Sequence, residues 1–102
     1  MKTTSVRCSL HDWTIQVVPD LRSEDGATLF GETDAVTKVI RLRDGLDAKD
    51  QASTLLHEAL HAAERSLGSY LGEEAVLKVE GMLILLMHQN QELFRELLKA
   101  FK

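Results

Sequence analysis

The run Asp47-Ala48-Lys49-Asp50-Gln51-Ala52-Ser53-Thr54-Leu55-Leu56-His57-Glu58-Ala59-Leu60-His61-Ala62-Ala63-Glu64-Arg65-Ser66-Leu67-Gly68 carries the clearest periodicity in the chain. Ala52, Leu55, Leu56, Ala59, Leu60, Ala63 and Leu67 recur at three- and four-residue spacing, the mark of one apolar helix face. Asp47 suits the N-cap, Asp50 adds negative charge to the first turn, and Gly68 provides a left-handed stop. Downstream, a second helix is expected from Gly72-Glu73-Glu74 to about Met87, with Val76, Leu77, Val79, Leu83 and Leu86 among its apolar positions. Asn90 then suits the cap of a short terminal helix through Leu93, Phe94, Leu97, Leu98 and Phe101.

Upstream the period changes towards two. Residues 15–18 read as a strand closed by Pro19, and residues 27–30 and 37–42 as two more, joined by a turn around Gly31-Glu32-Thr33-Asp34. Trp13 and Phe30 are the expected anchors of this sheet on the helices. The division falls near residue 46, giving one domain over residues 1–102 with a β-rich part (1–46) and a helical part (47–102). The expected class is α+β: a small antiparallel sheet, the helix quoted above, a second helix antiparallel to it, and a short C-terminal helix.

With 102 residues, 44% hydrophobic and 27% charged, the chain has material for one thin core, which a metal or a partner such as a second copy would reinforce. Its only cysteine, Cys8, excludes an intramolecular disulfide and makes the cytoplasm the expected compartment. A formal charge of −4 with scattered basic residues disfavours nucleic acid as a partner. The polar N-terminus does not read as a signal peptide. The most apolar segment, residues 82–87, falls far short of the roughly twenty residues of a membrane span.

Chemistry concentrates in His57-Glu58-Ala59-Leu60-His61, an H-E-x-x-H pattern within the best-supported helix. Positions i and i+4 share one helix face, so both imidazoles can converge on one zinc ion, with bonds of about 2.0–2.1 Å. Glu58 points about 100° round the helix, where a carboxylate suits the general base acting on a metal-activated water. Two histidines and a water leave a ligand missing, and Glu73, Glu74 and Glu80 are the downstream candidates. Glu73 and Glu80 share an apolar stripe with Val76, Leu83 and Met87, where a carboxylate is costly unless paired or bound to a cation; Glu74 points away from it. The depth of Glu80 in the second helix favours it on hairpin geometry, whereas Glu73 also suits a helix start.

The run from Thr54 to Ala62, preceded by Gly31-Glu32-Thr33-Asp34 and Ile40-Arg41-Leu42 and followed by Glu73-Glu74-Ala75-Val76 and Asn90-Gln91-Glu92-Leu93, resembles small phage and bacterial H-E-x-x-H zinc metallopeptidase-like proteins of the glutamate-ligand type. The likeness spans about residues 28–98, and its specific part is the H-E-x-x-H helix. It implies hydrolysis of a peptide or protein substrate by a zinc-activated water, with His57, His61 and Glu73 or Glu80 as metal ligands and Glu58 as the catalytic base. It draws the choice of third ligand towards Glu73. It also implies that the strand at residues 37–42 is an edge that pairs with an extended peptide. The competing expectation is a non-catalytic module stapled by zinc. Tyr70 reads as a turn or packing residue rather than an oxyanion stabiliser. Cys8 and His11 lack a second ligand pair at suitable spacing, and His88 reads as structural.

Overall fold

A two-residue reversal at Ser9-Leu10, with Ser9 at φ 55°, pairs β1 (Ser5–Cys8) antiparallel with β2 (His11–Val18). The computed structural model describes residues 2–101. Beyond β2 the chain runs through a loop to β3 (Gly31–Asp34), turns, and returns as β4 (Val39–Arg43). β4 inserts between β2 and β3, so the order is β1-β2-β4-β3, with β2 and β4 parallel and the other pairs antiparallel. The sheet is therefore mixed rather than wholly antiparallel. The connection between β2 and β3 is long enough to carry the chain past β4 to the outer edge. Arg43 braces that connection, donating to the carbonyls of Leu21 at 2.6 Å and Leu29 at 2.9 Å.

The expected strands shift accordingly. Residues 15–18 are the end of a longer strand. Residues 27–30 are loop, with an isolated bridge between Arg22 and Thr28, and Phe30 is 51% exposed instead of anchoring the sheet. Residues 31–34, expected as a turn, are strand β3. The strand at 37–42 is β4, which is interior, so it cannot be the expected peptide-pairing edge; the edge strand beside it is β3.

Period-two alternation in β2 and β4 turns Trp13, Ile15, Ile40 and Leu42 to one face, where they pack with Leu55 and Ala62 of α1 (Ala48–Leu67). Trp13 is the centre of this core, fully buried, with Nε1 lacking a hydrogen-bond partner and Lys38 Nζ 5.3 Å from its ring centroid. The ends of α1 are as expected: Asp47 accepts from the Asp50 amide at 2.8 Å, and Gly68 adopts φ 67°. Gly72, at φ 85°, precedes α2 (Glu73–Gln89). α3 (Gln91–Ala100) follows after Asn90, whose side chain donates to the Leu86 carbonyl rather than capping α3. The start of α2 meets the His57–His61 turn of α1, and its end, at Ile84 and Met87, lies beside Ala52 and Leu56. The two helices therefore run antiparallel, as expected. Among the described residues no helix is long and apolar enough to cross a membrane.

Candidate metal centre

The helical rise stacks His57 and His61 one turn apart on α1, with Nε2 atoms 3.2 Å from each other and rings edge to face. The Glu73 carboxylate, in the first turn of α2, closes the group: Oε1 lies 2.6 Å from His57 Nε2 and Oε2 2.9 Å from His61 Nε2. His57, His61 and Glu73 thus form a group that could hold a metal ion. Glu73 comes from the exposed side, with 64% of its side chain accessible, whereas both imidazoles are largely covered.

The opposite edges of the rings are held as firmly. His57 Nδ1 lies 2.9 Å from Glu80 Oε2, and His61 Nδ1 lies 2.5 Å from Glu64 Oε1. The second oxygen of Glu64 accepts the Leu71 amide at 2.8 Å. A carboxylate at each Nδ1 can hold a proton there, which frees the Nε2 lone pairs for a cation shared with the Glu73 oxygens. Two ring nitrogens and a carboxylate have converged, held without a metal by hydrogen bonds from Nε2 to Glu73, and a shared cation would take the place of those protons. Two atoms each about 2.0–2.1 Å from one zinc ion lie roughly 3.3 Å apart at a tetrahedral angle, near the observed imidazole separation.

This geometry separates the three acidic candidates. Glu73 reaches the convergent nitrogens. Glu80 reaches only the far side of His57, where it orients the ring and fixes its tautomer. Glu74 is exposed and pairs with Lys78 at 3.4 Å. Sequence reasoning missed Glu64, although it is only 5% exposed. Its signal was an acid three residues after His61, indistinguishable in the sequence from any helix-surface glutamate.

Glu58 sits on the sheet side of α1, 8% exposed, with Oε1 accepting from the Thr33 hydroxyl of β3 at 2.8 Å. Burial pushes its pKa above the ordinary carboxylate value, against the opposing effects of the Thr33 hydrogen bond and the nearby imidazoles. Burial pulls His61 down, but hydrogen bonds to Glu64 and Glu73 outweigh it and the net shift is upward. The Glu64 carboxyl is held below its usual range, first by the Leu71 amide and then by His61. A polar cleft of about 300 Å³ opens over Glu58, His61 and Glu73, with Thr33, Arg65 and Tyr70 also on its walls. Tyr70 is 85% exposed at this rim, so it is not a packing residue. Cys8 packs against the sheet core. Among the described residues His57, His61 and Glu73 form the one group identified as able to hold a metal. Compared with protein-family models, with curated proteins and with solved structures, the chain matches none of them.

Proposed function

We propose that this protein is a zinc-dependent hydrolase of peptide bonds, with His57, His61 and Glu73 as metal ligands and Glu58 as general base. The observation that carries the reading is the convergence of two imidazole nitrogens and a carboxylate, with each imidazole backed by a second carboxylate. Two imidazoles and a carboxylate, with room for a further ligand, suit zinc among the common divalent metals. When bound, zinc supplies Lewis acidity to a carbonyl and lowers the pKa of a water towards neutrality. Glu58 accepts a proton from the attacking water as its oxygen adds to the carbonyl carbon. The same carboxyl then delivers that proton to the leaving nitrogen as the C–N bond breaks. A raised pKa suits both transfers, since the group must be able to hold the proton between them. Thr33 fixes one carboxylate oxygen, and Glu58 lines the cleft. The free edge of β3 offers main-chain groups to an extended peptide beside Glu58, the role that the family resemblance implied for residues 37–42.

The test is zinc content together with peptide turnover in Glu58→Gln. The variant is expected to retain stoichiometric zinc and to lose about 10²–10⁴-fold in kcat; parental turnover in the variant refutes the assignment of Glu58.

The second reading, a zinc-stapled binding module, is favoured by the thin apolar contact of α2, whose only fully buried apolar side chain is Val76. In that case metal coordination chiefly joins α2 to α1. The readings differ at the fourth coordination position, which X-ray absorption at the zinc edge reads directly: a water supports hydrolysis, and a fourth protein ligand supports the staple.

A further inference from the structure

We propose that the α2–α3 arm is an interface for a second copy of this chain, so that the protein is a symmetric dimer. The 17 residues of α2 and the 10 of α3 contribute one side chain, Val76, to the buried apolar set. Ten large apolar side chains of this arm are instead between 36% and 80% exposed. Around Met82, Ile84, Leu85 and Leu86 the helix is apolar on all sides, a pattern that belongs to covered helices. On α3, Leu93, Leu97, Leu98 and Phe101 share one face, while Glu92, Arg95, Glu96 and Lys99 lie on the other.

Area and charge select the occupant. Ten side chains of about 150–200 Å², each roughly half exposed, present on the order of 800 Å². Spread over α2 and one face of α3, this total is of the order of the share one protomer brings to a standard interface. A two-fold interface sets the same patch against itself, which requires a face without net charge. The α3 face meets this condition, since its two acids and two bases cancel and stand away from it. The same balance gives no attraction to an anionic lipid surface, which amphipathic membrane helices obtain from an excess of Lys and Arg. A groove of about 540 Å³ between α1 and α2, floored by Leu56, Ile84 and Met87, extends the apolar surface towards the body of the molecule.

The experiment is sedimentation equilibrium of the full chain across the micromolar range, with and without zinc, beside flotation on phosphatidylserine-containing vesicles. The expected mass is twice the 11.4 kDa of one chain. Leu98→Glu/Phe101→Glu changes side chains 70% and 80% exposed and is expected to weaken self-association at least about tenfold with an unchanged circular dichroism spectrum. Should that double variant fail to fold, Leu85→Lys on α2 tests the same face. A mass of 11.4 kDa throughout, a dimer unaffected by these substitutions, or a monomer that floats with the vesicles overturns the proposal.

Discussion

Glu64 and Glu80 perform the same task on the two imidazoles, yet they are differently exposed to loss. Glu64 binds His61 with one oxygen and the Leu71 amide with the other, so it couples the ring to the turn between the helices. Removing it takes a partner from the Leu71 amide and frees the ring to rotate. Glu64→Ala is therefore expected to weaken zinc binding about 10–100-fold, and Glu80→Ala to fall in the same range. Glu73→Ala, which removes a ligand rather than its support, should weaken binding more than either. Competition titration with a chelating dye ranks the three, and equal losses at Glu73 and Glu80 would contradict the division of roles drawn from the ring nitrogens. His57, His61 and Glu58 were legible because helical spacing alone sets their directions. The choice between Glu73 and Glu80 was not, because it turns on which nitrogen each reaches, a matter of a few ångströms in how α2 docks. Glu64 was invisible because its partner amide lies seven residues away across the turn at Gly68.

At the scale of elements, β3 is the least legible and the most consequential piece. Gly31-Glu32-Thr33-Asp34 has turn composition and poor strand propensity, so its strand conformation comes from pairing with β4 and from Thr33 bonding Glu58 on α1. Gly31 permits this approach: a Cβ there would meet Thr54 Cγ2 at 2.6 Å and Glu58 Cγ at 3.0 Å. Gly31→Val gains at most about 1 kcal/mol of strand propensity but overpacks against α1 at about 1–3 kcal/mol. The clash wins, and the thermal midpoint of the variant is expected to fall by several degrees; an equal or higher midpoint counts against the close packing of β3 on α1. The turn after β3 is tied by Asp34, which accepts the Val36 amide at 3.1 Å and the Thr37 amide at 3.3 Å. Bonding to Thr37 and Val36, with Arg41 beside it, holds the Asp34 carboxyl below its ordinary value. A depressed folded-state pKa contributes stability above the unfolded value and loses it as pH falls through the folded one. Acid unfolding below about pH 4 should accordingly be shallower in Asp34→Asn than in the parent, and parallel acid limbs would refute this role. The helices were legible because each carries its own period and stops. The sheet order was not, since a parallel β2–β4 pair depends on a loop path that no local pattern records.

On the scale of the whole molecule, two bodies of unequal cohesion meet at the candidate metal centre. The sheet and α1 enclose Trp13, Ile40, Leu42 and Ala62 without help from any candidate ligand. α2 and α3 extend outwards, giving a radius of gyration of 14.1 Å against about 13 Å for a compact chain of 100 residues. The α2 attachment combines Val76, the partly exposed Ile84 and Met87 beside Ala52 and Leu56, and the bonds from Glu73 and Glu80 to the histidines. Chelation should then act unequally. Zinc at a hundredfold excess over its Kd stabilises the folded state by about 2.7 kcal/mol, which for a domain of this size corresponds to a thermal midpoint higher by roughly 10–20 °C. Adding a chelator is expected to remove that increment and to speed amide exchange in α2 and α3. The emission of Trp13, the only tryptophan, should remain that of a buried indole, because its surroundings contain no ligand. If chelation instead moves Trp13 emission to that of a solvated indole while exchange rises throughout, the metal holds up the entire fold. The stapled-module reading then gains over the hydrolase.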